Sequence, residues 1–353
     1  MRSNYIVNKN RTVKKILSLI LIFSLGGSLL AASGCARHEQ NPSPSSLAQS
    51  PRPTVYTSIY PLYDLTRKIG GDKVTVINLT PAGSEPHSFE PSSRTVADLS
   101  KASLFLYHGA GMEPYLNKLL HTLQGTPLLM LEASRGISLL THPQGEEDPH
   151  KEHSHEEVSP EEEPAEEASH EIGPHGQTDP HTWLSPVCAL QLSRNILQAL
   201  IQIVPDQEAF FEENYRQLEK RLTELDQEYR ETLSACQRKE IVVTHEAFGY
   251  LCREYGLTQL GIMGLSAEAE PTPGTVKEII NLVRDRHIKY IFFETLYSPK
   301  IAETIARETN TEILVLNPFG SLTEKEIAEG EDYFTIMKEN LENLKKALEW
   351  TNE

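Results

Sequence analysis

The chain has 353 residues, enough for two domains with proper cores. Its formal net charge of -17 excludes nucleic acid as the main partner, because a duplex binder needs a basic face. Its 4 cysteines form no Cys-x-x-Cys pair, which leaves a zinc ribbon or a thioredoxin-type centre without support.

Arg2, Lys9, Arg11, Lys14 and Lys15 make a basic start, followed by an apolar run over residues 16–30. That run is shorter than the ~20 residues a membrane span needs, and the pattern predicts an export signal over 1–34. Ala31-Ala32-Ser33-Gly34-Cys35 then resembles a bacterial lipobox, with Cys35 as the lipid-bearing residue; an ordinary secretory cleavage site is the alternative. Losing the signal removes five positive charges and no negative one, so the mature chain is more acidic still. Residues 35–53 are rich in Ser, Pro and Gln and predict a flexible tether. The expected location is the extracytoplasmic face of a cell membrane, held there by lipid.

Strands are predicted over 54–59, 73–79, 104–107 and 128–131, and helices over 61–69, from 92 or 93 through Leu99, and over 113–123. Strands alternating with helices predict an α/β lobe with a largely parallel sheet. Between the second strand and its helix, residues 80–91 hold Pro81, Pro86, Pro91 and Gly83, which predicts a fixed loop, and His87 sits in it. Gly109-Ala110-Gly111 lacks the third glycine of a nucleotide-binding turn.

His142, His150, His153, His155, His170 and His175 lie in one acidic stretch that includes Glu161-Glu162-Glu163. Almost nothing apolar accompanies them, so residues 142–178 are predicted to stay disordered. Imidazoles and carboxylates in such a tract suggest auxiliary, weak metal sites; a solvated acidic linker is the alternative. The tract ends at Asp179-Pro180-His181-Thr182-Trp183-Leu184, which reads as ordered.

A helix is predicted from Pro186, burying Leu190, Leu192, Ile196, Leu197, Leu200 and Ile201. A long amphipathic helix over 205–236 follows, with Phe210, Tyr215, Leu218, Leu222, Leu225, Tyr229 and Leu233 inward. At 1.5 Å per residue it is ~45 Å long, enough to join two lobes. The second half repeats the rhythm, with strands at 240–244, 257–261, 290–293 and 313–316. Helices are expected from His245 onward and over 276–287, 298–309 and 332–350. The domain reading is thus a first lobe at 54–204, a linking helix at 205–236 and a second lobe at 237–353. Cys188, Cys236 and Cys252 remain beside Cys35, and a Cys236–Cys252 disulfide is one option that spacing alone leaves open.

His87, His245 and Glu294 each follow the carboxyl end of a predicted strand, the edge where open α/β sheets bind ligands. His181 follows a turn-forming Asp-Pro. Three imidazoles and a carboxylate suit zinc and its tetrahedral geometry. Taken singly, each residue also reads as a surface histidine or a helix cap.

The motifs settle the matter by resemblance. Ser58-Ile59-Tyr60-Pro61-Leu62, Pro81-Ala82-Gly83-Ser84-Glu85-Pro86-His87, Asp179-Pro180-His181-Thr182-Trp183-Leu184-Ser185-Pro186, Thr244-His245-Glu246-Ala247-Phe248-Gly249-Tyr250 and Phe292-Phe293-Glu294 occur in this order. Together they resemble the zinc-binding receptor lipoproteins of bacterial metal ABC importers, a family that also contains manganese receptors and adhesin lipoproteins. The resemblance implies two α/β lobes joined by one long rigid helix, with the metal in the cleft between them. It implies Zn2+ as cargo, an ABC permease as partner, a monomer and no enzymatic activity. It places the ligands on His87, His181, His245 and an acidic fourth, Glu294, a place that water fills in some relatives. A histidine at position 245 favours zinc, since manganese-selective relatives tend to carry a carboxylate there. A manganese receptor and a surface adhesin remain the alternatives. A zinc hydrolase is disfavoured, because no His-Glu-x-x-His motif is present.

Overall fold

The computed structural model describes residues 52–142, 177–265, 271–296 and 298–351. Cys35 and the expected signal fall outside these residues, as do His150, His153, His155, His170 and His175. His142 lies on a strand.

The first lobe is built on β1 (Thr54–Thr57), α1 (Tyr60–Gly70), β2 (Thr75–Asn78), α2 (Ser93–Leu99), β3 (Leu104–Tyr107), α3 (Leu116–Thr122) and β4 (Leu129–Glu132). Its four strands are all parallel, in the order β2-β1-β3-β4. Ser92 caps α2 by accepting from Thr95 N at 3.2 Å, which fixes the start of that helix. The helix expected over 113–123 begins only at Leu116, because Glu113 turns inward onto the backbone N–H groups of His108 and Gly109.

A short antiparallel pair follows that periodicity did not reveal: β5 (Leu140–His142) and β6 (Gln177–Asp179), with His142 opposite Gln177. Three-residue strands are too short to show an alternating pattern. A 3-10 turn at Thr182–Leu184 then leads into α4 (Pro186–Ile203). Ser185 caps this helix and Pro186 occupies its first turn, where a missing N–H costs nothing. Its buried stripe is Cys188, Ala189, Leu192, Ser193, Ile196, Ala199 and Leu200, whereas Leu190, Leu197 and Ile201 are only half-buried.

The long helix α5 (Glu208–Ser234) packs on α1 and α4 of the first lobe and on helices of the second. Its inward series begins at Phe211, not Phe210, and runs through Tyr215, Leu218, Leu222, Leu225, Tyr229 and Leu233. Steps of three and four keep one stripe facing the core, whereas Phe210 breaks that spacing and lies half-buried at the rim. Each such side chain contributes about 1.5–3 kcal/mol on burial. Surface pairs such as Lys220–Glu224 contribute about 0.3–0.5 kcal/mol, so packing decides where the helix sits.

The second lobe comprises β7 (Glu240–Val243), α6 (Gly249–Tyr255), β8 (Thr258–Gly261), α7 (Pro273–Asp285), β9 (Tyr290–Phe293), α8 (Lys300–Thr309), β10 (Glu312–Val315), α9 (Glu324–Glu329) and α10 (Tyr333–Ala347). Its sheet is also parallel, in the order β10-β9-β7-β8. Residues 245–248, expected to open a helix, instead form a bend, and α6 starts at Gly249. α9 was not anticipated; its six residues are held by a capping box between Thr323 and Glu326.

One apolar core runs from Val55 and Leu62 through the α5 stripe to Leu341 and Leu348, so the two lobes share their interior. Cys188, Cys236 and Cys252 are separate, buried free thiols, which removes the Cys236–Cys252 disulfide.

Candidate metal centre

Four segments bring polar side chains to the carboxyl edges of the two sheets. The loop after β2 is tied down on both sides. Asn78 Nδ2 donates to Thr80 O at 2.7 Å, and Thr80 Oγ1 donates to Ser58 O at 2.7 Å. Gly83 N donates to Leu322 O of the second lobe at 2.9 Å. His87 N donates to Glu85 Oε1 at 3.1 Å, which steadies the backbone at His87.

His181 leaves β6 through Asp179-Pro180. Asp179 Oδ1 accepts from both His181 N and His181 Nδ1, each at 2.9 Å. His245 follows β7, and its Nδ1 lies 2.5 Å from Glu294 Oε1 at the end of β9. Thr244 Oγ1 donates to the same Glu294 oxygen at 2.7 Å. A carboxylate can only accept, so both Nδ1 atoms carry the hydrogen, and in the neutral form of each ring Nε2 offers a lone pair.

Those lone pairs converge. His87 Nε2 is 3.0 Å and His245 Nε2 is 3.4 Å from His181 Nε2. One ring nitrogen from each of the three lies within 4.8 Å of the other two, the sole such grouping among the described residues. His181, His245 and Glu294 are buried, and His87 is half-buried. The cavity between them measures about 20 Å³ and is bounded by Trp183, Pro318 and Ser321. It has room for one ion or one water.

Burial drives the His87 ring down to about 2, and the neighbouring His181 and His245 rings push the same way. Burial also opposes a charged His245, but the Glu294 carboxylate and its hydrogen bond outweigh it, and the net direction is upward. Three convergent neutral imidazoles would make a nitrogen-rich seat for a transition-metal cation.

His87, His181, His245 and Glu294 all line this cavity, but the grouping of nitrogens within 4.8 Å takes in the three histidines and not Glu294. Glu294 differs from the three rings in that Oε1 is engaged by His245 and Thr244, while Oε2 is buried without a hydrogen-bond partner. Asp179 was read as a turn residue; its signal as an orienting carboxylate was its position two residues before a histidine. His108 was not singled out. It is fully buried, stands edge-on to the Trp183 ring at 5.1 Å, and is pushed by burial down to about 3. A larger groove of about 570 Å³ lies between α2 and α3, lined by Val96, Ala97, Tyr115 and Leu119; it contains none of these rings.

The profile of the family described as "ZnuA: Zinc-uptake complex component A periplasmic" matches residues 55–347. The chain belongs to the ZnuA family. Among ZnuA-family relatives, the zinc-binding lipoprotein AdcA of Streptococcus pneumoniae is 37% identical over 319 residues, 90% of this chain and 60% of AdcA. The chain thus spans well under two thirds of that relative's length. The high-affinity zinc uptake system protein ZnuA of Bacillus subtilis is 34% identical over 327 residues, 93% of this chain and 97% of that protein. The crystal structure of the Zn(II)-bound ZnuA-like domain of Streptococcus pneumoniae AdcA superposes with a TM-score of 0.69 at 34% identity. It covers 84% of this chain and 99% of that domain. The ZnuA-family fold accounts for the two parallel sheets.

Proposed function

We propose that this chain is an extracytoplasmic zinc receptor that captures Zn2+ between its lobes and delivers it to an ABC permease for import. The proposed ligands are His87, His181 and His245 through Nε2, with Glu294 as the fourth; to reach the ion its carboxylate would have to leave His245 Nδ1, from which it accepts in this structure. The observation that carries this reading is the convergence of three imidazole nitrogens in a buried cavity sized for one ion. Tetrahedral zinc with Zn–N bonds of about 2.0–2.1 Å places ligand atoms ~3.3 Å apart. The observed separations of 3.0 and 3.4 Å fall on either side of that value. Manganese prefers oxygen donors, so a nitrogen-rich set favours zinc.

Asp179 holds the outer nitrogen of His181, the carboxylate–histidine pairing that fixes ring orientation and raises ligand basicity. A cavity this small leaves no space for an organic substrate beside the metal, which supports capture and transfer over hydrolysis. The zinc-related names of the relatives agree with this reading. Division at 54–204, 205–236 and 237–353, lipid attachment at Cys35 and a monomeric receptor belong to the same proposal. The histidines His142, His150, His153, His155, His170 and His175 would raise the local zinc concentration.

Competitive Zn2+ and Mn2+ titration of the mature chain, beside His245→Ala, tests this. The expected result is one tight zinc site that weakens sharply in the variant, with manganese far weaker. Equal or stronger manganese binding would move the chain to the manganese branch, and no tight site would remove the ligand assignment.

A further inference from the structure

The turn that carries His181 belongs by sequence to the first lobe, yet a residue of the second lobe grips it. Tyr250 lies on α6, just after the bend that carries His245, and is fully buried. Its hydroxyl donates to Asp179 O at 2.8 Å and accepts from Leu140 N at 3.0 Å. Leu140 and Asp179 are partners in the pairing of β5 with β6, so one hydroxyl bridges both strands. Both backbone groups are thereby satisfied away from water.

The bridge is braced on the α6 side. The Arg253 guanidinium sits over the Tyr250 ring at 4.9 Å and donates to Ser138 O at 3.1 Å. Gly249 lets the start of α6 approach Asp179, since a Cβ there would lie 2.5 Å from Oδ2. The remaining carboxylate oxygen, Oδ1, accepts from His181 N and His181 Nδ1. Asp179 therefore stands between two residues. Tyr250 fixes its backbone oxygen, and its side chain orients the His181 ring. A carboxylate aims a ring only as well as its own backbone is held.

We infer that Tyr250 is a positioning residue of the metal centre, acting on His181 through Asp179 from the opposite lobe. It joins the segment of one ligand, His245, to the orienting carboxylate of another. The aim of His181 then depends on α6 as well as on β6. A displacement of α6 along this edge reaches the His181 ring by way of one hydroxyl. The inference rests on the zinc reading above and extends it to a residue that does not touch the ion.

The test compares the full mature chain with Tyr250→Phe, Asp179→Asn and the double variant. Zinc affinity is measured by chelator competition, and Co2+ visible absorption reports on coordination. Tyr250→Phe keeps the buried ring and removes only the hydroxyl. Its affinity should be about threefold to tenfold weaker, the effect of roughly one hydrogen bond, and its Co2+ spectrum should shift. In the Asp179→Asn background the same change should weaken binding no further, because both substitutions act on one contact. A merely structural tyrosine would weaken binding by the same factor in both backgrounds, and that result would overturn the proposal. Parental affinity and spectrum in Tyr250→Phe would do so too. One readout needs no variant to fold: zinc should slow hydrogen exchange at the Leu140 amide of the unaltered chain, since coupling between occupancy and the bridge is reciprocal. Exchange there that zinc leaves unchanged would also overturn it. Absence of zinc binding by the unaltered chain would remove the receptor reading and this inference with it.

Discussion

Asp179 Oδ1 stands 2.9 Å from both the backbone nitrogen and the ring Nδ1 of His181. One carboxylate oxygen thus sets the chain direction and the tautomer of the same histidine. Asp179→Asn keeps the shape but can offer an NH2 where the ring needs an acceptor. Loss of an orienting partner of this kind weakens metal binding by about 10- to 100-fold. We expect that range for Asp179→Asn in zinc competition, with Asp179→Glu between it and the parent; parental affinity in Asp179→Asn would show that the bond is incidental.

Gly249 controls the same carboxylate from the opposite lobe. A Cβ at position 249 would lie 2.5 Å from Asp179 Oδ2 and 3.3 Å from Leu140 Cδ1. The strand it presses on is held by Tyr250, whose hydroxyl donates to Asp179 O at 2.8 Å and accepts from Leu140 N at 3.0 Å. The strand therefore cannot retreat without losing both bonds. Gly249→Ala, although its site faces away from the cavity, should weaken zinc binding by about tenfold through Asp179. Isothermal titration beside Asp179→Asn checks this; the double variant should be no worse than the single ones, since both act on one contact.

Acid should release the metal through His245 first. Binding needs a neutral ring, and the fold lifts the affinity of His245 for a proton despite burial, because Glu294 lies against it. His87 is already held neutral, down to about 2, by burial and its neighbouring rings. The sign follows directly: as pH falls, the proton competes with zinc at His245, and competition begins above the ordinary imidazole value of ~6.5. Zinc affinity should lose about tenfold per pH unit there, the slope of one displaced proton. A dissociation constant flat through that range would contradict the His245–Glu294 assignment.

Removing residues 143–176 should leave the main site intact. His142 pairs with Gln177 across β5 and β6, so the two ends stand side by side and a tight hairpin turn can join them. The three rings and their carboxylates all lie outside the excised stretch. Stoichiometry measured by titration should fall to one zinc per chain with unchanged tight affinity, the weak additional sites being lost. Loss of the tight site would mean that the excised histidines, not His87, His181 and His245, are its ligands.

The sequence by itself determined what short-range forces decide. Alternating strand and helix patterns located both α/β halves, and apolar spacing located the helix Glu208–Ser234. Turn chemistry around Pro81, Pro86 and Pro180 marked the loops that carry His87 and His181. Strand ends marked His245 and Glu294. Neighbouring residues impose all of this through sterics, periodicity and capping. Tertiary structure decided the remainder, because it rests on contacts between distant segments. His87 and His181 meet across 94 residues, and His181 and His245 across 64. No local pattern encodes such separations; the shared core does, by setting how the lobes face each other. The same packing chose Phe211 over Phe210 and kept Cys236 and Cys252 apart as free thiols. A one-residue shift on a helix turns a side chain by about 100°, and only the surface it meets can select between the two.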